Sequence, residues 1–108
     1  ETDLSMAKLC KANLNWADLR SANLTKADLR RAELHNTNLG KANLVSADLC
    51  EANLNGANLN EARLNKTCLD NSRGLDTKVS GTTFDPWVNV ASWVLGVRSE
   101  WSAVKPSK

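Results

Sequence analysis

Leucine recurs every five residues in this 108-residue chain, fourteen times without a break from Leu4 to Leu69. Two residues before each of these leucines stands Ala eleven times and Thr three times. Immediately before the leucine, Asp or Asn fills ten of the fourteen places. The repeating unit is therefore Ala-(Asp/Asn)-Leu-x-x.

A period of five fits neither of the common secondary structures. On an α-helix, successive leucines would advance by about 500° and would spiral around every face. On a flat strand, an odd period would place successive leucines on opposite faces. The period instead predicts a coil in which each five residues form one side. The leucine and the small residue two places before it then point inward, and the other three positions face solvent.

Two stretches show the unit most clearly: ANLNWADLRSANLTKADLRRAEL and KANLVSADLCEANLNGANLNEARL. They resemble the pentapeptide-repeat family, whose members form a right-handed quadrilateral β-helix. The resemblance implies that four units make one coil, so that residues twenty apart stack and Leu4, Leu24, Leu44 and Leu64 form one interior ladder. The expected fold class is an all-β solenoid, a right-handed quadrilateral β-helix of about four coils with a C-terminal α-helical cap.

The register continues beyond the last perfect unit. Counting by fives from Leu69 gives Gly74, Val79 and Phe84, with Ser or Thr in each small-residue place. Only Gly74 departs from the pattern, and we expect Leu75 beside it to swing inward in compensation. The predicted β-helix domain therefore spans residues 2–86, and Phe84 ends the ladder of Leu64.

Residues 87–108 are predicted to form a capping helix and tail. Asp85 suits a helix N-cap and Pro86 suits the first helical position. Trp87, Val90, Val94 and Trp101 then fall at helical spacing on one stripe and are the expected capping residues. A partner-binding helix and a membrane-surface helix are the alternatives. No stretch reaches the roughly 18 apolar residues of a membrane span.

No comparable cap precedes Thr2, and two explanations stay open. Either a targeting segment was cleaved before Glu1, or another molecule covers the first coil. The second explanation allows an end-to-end or side-by-side homo-oligomer through the uncapped N-terminal coil. The expected location is accordingly a soluble compartment, either the cytoplasm or an exported site such as the thylakoid lumen or periplasm.

The residue types that usually perform catalysis or bind metals are sparse. The one histidine, His35, has amide neighbours in its predicted stack and is read as a surface residue. Cys10 and Cys50 are expected on one face about 10 Å apart, too far for a disulfide, with Cys68 one coil above Cys50. All three are therefore expected to be surface thiols. We expect no catalytic residue, no cofactor and no metal site.

Asparagines cluster on two adjacent predicted faces, and Trp16 lies on one of them. Stacked amides can stabilise the solenoid by hydrogen bonding along its axis, but they can also form a recognition surface. An exposed Trp is often an anchor for a partner, although Trp16 could equally pack under residues before Glu1. The candidate partner contacts are Trp16, Asn36, Asn38 and Asn58.

The sequence thus predicts a non-enzymatic structural or protein-interaction module with an unknown protein partner. A regulatory protein that binds a macromolecular partner is the alternative. Some members of the family bind DNA gyrase by imitating duplex DNA, which requires a strongly anionic surface. Here fourteen Lys and Arg stand against twelve Asp and Glu, so neither gyrase binding nor nucleic-acid binding is expected. The short chain resembles cyanobacterial and plastid members of the family.

Overall fold

The computed structural model describes residues 2–83 and 85. Thirteen parallel β-bridges each join a residue to the one twenty places further on, from Asp3↔Asn23 to Arg63↔Thr83. Within the described residues, these single-residue bridges replace continuous strands, and no helix occurs. Four five-residue sides therefore make one coil of a solenoid, and the register runs through a little over four coils. We number the small residue of each unit position 1, the residue before the leucine position 2, and the leucine position 3; positions 4 and 5 follow.

A tight turn at positions 4 and 5 closes each side of the coil. The Ala7 N–H donates to the Leu4 carbonyl over 3.0 Å, and this bond recurs from unit to unit. The residue at position 5 has a positive φ, between 57° and 66° in fourteen non-glycine residues and above 70° in Gly56 and Gly81. A positive φ at the third residue only is the signature of a type II turn.

Backbone hydrogen bonds between coils hold the stack together. In one unit, the Asn23 N–H donates to Thr2 of the coil below over 2.8 Å. The Leu24 and Lys26 N–H groups donate to the coil above over 2.8 and 3.0 Å. The amides at positions 2, 3 and 5 are thereby satisfied by neighbouring coils, and the amide at position 1 by the turn. The pattern leaves the N–H at position 4 to find an acceptor outside the backbone.

The side chain at position 2 supplies that acceptor. In all ten units with Asp or Asn there, the Oδ1 atom accepts the N–H two residues further on, at 2.9–3.2 Å. Where position 2 carries Glu33, Arg73 or Lys78, an Asn at position 4 of the coil below accepts the bond instead. The Asp/Asn preference is therefore explained by the turn, since short polar side chains can bond their own backbone two residues on.

The interior confirms the predicted ladders of leucine and alanine. The nine leucines from Leu24 to Leu64 are fully buried, whereas Leu4, Leu9, Leu14 and Leu19 of the first coil are half-buried. Threonine fits the small position because its hydroxyl finds a carbonyl in the coil below. Thr37, for example, donates to the Leu14 carbonyl over 2.7 Å.

One expectation about the register is wrong. Gly74 is buried at position 3, and Leu75 stays at position 4 with 44% of its surface exposed instead of turning inward. The hydrogen bonds of the backbone explain this. The Leu75 N–H donates to Asn55 Oδ1, and the Thr77 N–H donates to the Gly74 carbonyl and so closes the usual turn. Both bonds hold Leu75 in an outward-facing position.

The remaining predictions for the C-terminal part fall outside the described residues. They are the inward placement of Phe84 and the capping helix of residues 87–108 with Trp87, Val90, Val94 and Trp101. The boundary between residues 2–86 and 87–108 accordingly stays a prediction. The described part of the chain contains no helix long and apolar enough to cross a membrane.

Candidate functional site

Trp16 lies at position 5 of the first coil with 73% of its surface exposed. Its ring meets the ring of His35 edge-on, with centroids 6.1 Å apart and planes at 89°. His35 in turn lies 2.9 Å from Asn36, between Nε2 of the histidine and Nδ2 of the amide. We call Trp16, His35 and Asn36 the Trp16 corner. It combines a large apolar surface with two polar groups, which is the composition of many binding anchors.

A glycine in the coil above makes room for this corner. Gly56 follows Asn36 in the same stack, and a Cβ atom at Gly56 would lie only 2.1 Å from Asn36 Oδ1. Gly56 also has φ near +73°, a conformation that favours glycine. The Asn36 amide therefore occupies space beside Gly56 that the Cβ atom of any other residue would need.

Asn38 and Asn58 lie one coil apart at position 2, and we call them the amide row. Asn38 Oδ1 accepts hydrogen bonds from the Gly40 N–H at 3.1 Å and from Asn58 Nδ2 at 3.2 Å. Asn58 Oδ1 accepts the Asn60 N–H at 2.9 Å. The amide row lines an open groove of about 650 Å³, together with charged residues such as Asp18 and Lys41. Each amide thus has a fixed orientation.

The four candidate contact residues therefore form two groups rather than one site. Trp16 and Asn36 meet through His35, while Asn38 and Asn58 meet each other in the groove. Sequence reasoning placed them on adjacent faces but did not identify His35 as the link. The sequence signal for this link was the place of His35 at position 4, one coil above Asn15, because Asn15 directly precedes Trp16.

Several charges on the described surface form pairs of opposite sign. Arg20 and Arg30 each donate two hydrogen bonds to the Asp two residues before, at 2.7 and 2.8 Å. These side-chain bonds lower the pKa of Asp18 and of Asp28 to about 2. Across coils, Arg31 Nε lies 2.7 Å from Glu51 Oε1. The described surface therefore has no continuous stripe of one sign.

The cysteines depart from the sequence expectation. Cys50 and Cys68 form a disulfide with Cα atoms 5.6 Å apart, so the expectation of a surface thiol is wrong for both. Cys10 is a free, exposed thiol, as expected. The error was to treat Cys68 as merely one coil above. Cys68 forms a β-bridge with Asp48 of the coil below, and Asp48 Oδ1 accepts the Cys50 N–H. The two cysteines are therefore diagonal neighbours across adjacent coils. Their separation of 18 residues, two short of a coil, was the available signal.

Asp48 completes a compact cluster with this disulfide. One ligand atom from each of Asp48, Cys50 and Cys68 lies within 4.8 Å of the other two, and all three residues are half-buried. Cys50 also lines a smaller recess with Cys10, Arg30 and Arg31. The cluster lies on a different side of the coil from the Trp16 corner.

Comparison with known proteins identifies similar sequences and folds. The family model described as pentapeptide repeats (8 copies) matches residues 1–36, 12–49 and 37–73. The crystal structure of Rfr23, a pentapeptide repeat protein from the cyanobacterium Cyanothece 51142, is 33% identical with a TM-score of 0.75. That match covers 85% of this chain and 59% of Rfr23, so this chain spans less than two thirds of its relative.

A pentapeptide repeat protein from the Arabidopsis thaliana thylakoid lumen is 25% identical with a TM-score of 0.69. The match covers 95% of this chain and 76% of the plant protein. No curated protein sequence matches this chain. These likenesses identify the solenoid as a right-handed β-helix.

Proposed function

We propose that this chain, which belongs to the pentapeptide-repeat family, is a non-enzymatic module. In this proposal it binds a protein partner through the Trp16 corner. The observation that supports this function is the exposure of Trp16, at 73% of its surface. Trp is enriched among the residues that contribute most binding energy at protein interfaces. Burial of its ring against a partner would remove a large apolar surface from water.

The local backbone adds weight to this assignment. Trp16 occupies position 5, whose positive φ, here 66°, recurs in every unit of the coil. Its turn rests on a scaffold in which the neighbouring backbone amides are hydrogen-bonded between coils. A side chain held on a rigid element binds with a smaller entropic cost than one on a mobile loop.

The amide row supplies polar contacts beside the corner in this proposal. Asn38 and Asn58 are fixed by their turn bonds and by each other, so their orientation is set before a partner arrives. The same bonds also stabilise the coil, which is the purely structural role for these residues. Recognition by the amide row is thus an addition to a structural role.

A gyrase-binding DNA mimic is a poorer fit to this surface. Mimicry of duplex DNA needs a row of negative charges at phosphate-like spacing. In this protein Arg20, Arg30 and Arg31 neutralise acidic neighbours along the coil. A regulatory role through a macromolecular partner remains the second functional class, and the same experiment tests it.

Affinity capture with matched variants tests the proposal. Met6 occupies the same turn position in the same coil, with φ of 60° and 70% exposure, so Met6→Ala is the control for Trp16→Ala. We expect the wild type and Met6→Ala to retain one specific protein and Trp16→Ala to lose it. Binding of the purified partner should fall at least tenfold for Trp16→Ala, measured by calorimetry. Equal affinity of all three proteins would contradict the proposal.

We propose further that the protein works in an oxidising, exported compartment such as the thylakoid lumen. The Cys50–Cys68 disulfide supports this, because disulfides persist mainly outside reducing compartments. The likeness to a lumenal plant protein supports it as well. Alkylation of free thiols in a native extract, followed by mass spectrometry, should label Cys10 and leave Cys50 and Cys68 unlabelled. Labelling of all three cysteines would contradict the proposed compartment. The homo-oligomer through the N-terminal coil stays a prediction.

A further inference from the structure

We propose that reduction of the Cys50–Cys68 disulfide creates a site for one thiophilic divalent cation, with Asp48, Cys50 and Cys68 as its protein ligands. The proposal concerns a different side of the coil from the Trp16 corner and does not depend on partner binding. Zn²⁺ is the cation whose chemistry fits best, because it binds thiolate sulfur and carboxylate oxygen in tetrahedral sites.

The distances between the donor atoms fit such a site. The three ligand atoms lie within 4.8 Å of one another while the disulfide is intact. At a Zn–S distance of about 2.3 Å, two thiolates of a tetrahedral site lie about 3.8 Å apart. When the disulfide bond breaks, the two sulfur atoms separate from bonded to non-bonded contact and reach this spacing through side-chain rotation. The Cα separation of 5.6 Å need not change.

The coil also fixes the ligands before a cation arrives. Cys68 and Asp48 are bridged partners in adjacent coils, and Cys50 lies two residues after Asp48. Asp48 Oδ1 accepts the Cys50 N–H at 3.1 Å, which orients the carboxylate and leaves Oδ2 as the ligand atom. Outer hydrogen bonds of this kind orient metal ligands and strengthen binding.

The charge balance at the site is favourable. Two thiolates and one carboxylate bring three negative charges to a cation of charge +2. Arg30 Nε, which donates to Asp28 Oδ1, also lies 4.0 Å from Asp48 Oδ2 and so partly offsets the remaining negative charge. Three protein ligands leave one tetrahedral position for water.

The chemistry has two balanced steps. A dithiol reductant transfers two electrons and two protons to the disulfide, giving two thiols while the reductant becomes a cyclic disulfide. The cation then displaces the two thiol protons and forms two metal–sulfur bonds. The same sulfur atoms cannot be in both states, so the oxidised protein should not bind the cation at this site.

Titration with Co²⁺ as a spectroscopic probe tests the proposal. The full chain is reduced with a dithiol, freed of reductant without oxygen, and titrated with CoCl₂. We expect one equivalent of Co²⁺ to give sulfur-to-cobalt charge-transfer absorption in the near ultraviolet, and Zn²⁺ to displace it. The oxidised protein should give no such band. A reduced protein without the band, or an oxidised protein with it, would overturn the proposal.

Substitutions that the coil tolerates identify the ligands. Asp48→Asn keeps the Oδ1 acceptor for the Cys50 N–H, as the ten Asp and Asn residues at position 2 do, but removes the charged ligand. Asp18→Asn is its matched control at position 2 on another side of the coil, where Asp18 Oδ1 accepts the Arg20 N–H in the same way. We expect Asp48→Asn to weaken Co²⁺ binding at least about tenfold, and Asp18→Asn and Cys10→Ser to leave it unchanged.

The cysteine variants complete the assignment. Cys68→Asn restores the usual Asn at position 2, so its coil should remain intact, and it should abolish the charge-transfer band. A band that persists in Cys68→Asn, or that disappears in Cys10→Ser, would assign the sulfur ligands elsewhere and overturn the site. Unchanged affinity in Asp48→Asn would likewise overturn it.

Discussion

At the scale of single residues, the side chain at position 2 most often completes the hydrogen bonding of a turn. Asn43 illustrates this, because its Oδ1 accepts the Val45 N–H at 3.1 Å and no backbone carbonyl is placed to do so. The repeated Asp and Asn are visible in the sequence as a preference. Their role is not visible, since the need for an acceptor arises only after the coil has used the other amides.

Loss of the side-chain acceptor at Asn43 should destabilise the protein. Asn43→Ala leaves the half-buried Val45 N–H without its partner, and we expect a loss of about 1 kcal/mol in the free energy of unfolding. Asn43→Asp retains the acceptor and is the control. Urea denaturation of both variants measures the difference. Identical midpoints for the Ala and Asp variants would show that water replaces the side chain without cost.

The Asp–Arg pairs should make stability depend on pH in the acid range. Hydrogen bonds from Arg20 and Arg30 lower the pKa of Asp18 and Asp28 to about 2, against an ordinary value of 3.8. A lowered carboxyl pKa gives stabilisation that is complete above the ordinary value and is lost as the pH falls through the lowered one. We therefore expect stability to decline between about pH 4 and pH 2.

Thermal unfolding at several pH values measures this decline. The double variant Asp18→Asn/Asp28→Asn should have a flatter profile between pH 4 and pH 2, because it retains the turn acceptors without the ionisable groups. High salt should reduce the wild-type dependence, since both pairs are exposed. An unaltered slope in the double variant would assign the acid sensitivity to other carboxylates.

At the scale of the coil, the five-residue period predicted which residues point inward, and the structure confirms this for Leu24 to Leu64. Two local features escaped the prediction. Gly74 is buried without help from Leu75, because the turn bonds fix the register regardless of side-chain size. The Cys50–Cys68 disulfide was missed because vertical stacking alone does not show diagonal neighbours.

The disulfide should contribute strongly to the stability of the third and fourth coils. It joins residues 18 apart in sequence, and closure of a loop of this size stabilises a fold by about 3 kcal/mol. Reduction should therefore lower the melting temperature by roughly 10–20 °C. Differential scanning calorimetry with and without a dithiol measures the shift in the absence of divalent cations.

Two cysteine variants control this measurement. Cys50→Ser should melt at the temperature of the reduced wild type and should not respond to the dithiol. Cys10→Ser should behave as the wild type, because Cys10 is a free thiol. A wild type whose melting temperature is insensitive to reduction would mean that the inter-coil backbone bonds alone determine stability.

At the scale of the whole molecule, the two ends of the solenoid differ. Leu69 and Val79 in the last full coil are buried, whereas Leu4 and Leu9 in the first coil are only half-buried. The sequence could predict the fold class because fourteen perfect repeats leave few alternatives, and the family match agrees. It could not predict a partner, since a uniform repeat gives most surface positions to turn formation.

Deletion of residues 86–108 tests the predicted cap. If this segment covers the last coil, its removal should expose Leu69 and Val79, and an uncovered solenoid end is a template for edge-to-edge pairing. We expect the truncated protein to dimerise or aggregate in analytical ultracentrifugation while its far-UV spectrum per coil changes little. A truncated protein that stays monomeric and equally heat-stable would favour a partner-binding role for this segment.

The hydrogen-bonded register has a consequence for changes in chain length. Contacts across the coils join residues between 18 and 23 apart, as in Cys50–Cys68, Arg31–Glu51 and Thr37–Leu14. Insertion of one five-residue unit between Cys50 and Cys68 would keep every leucine inside but move Cys68 to the next side. Insertion of a full twenty residues there would add a coil and return every later side chain to its original face, but Cys68 would then lie two coils from Cys50. The interior therefore tolerates growth by one unit, whereas a site that joins adjacent coils tolerates no insertion between its residues.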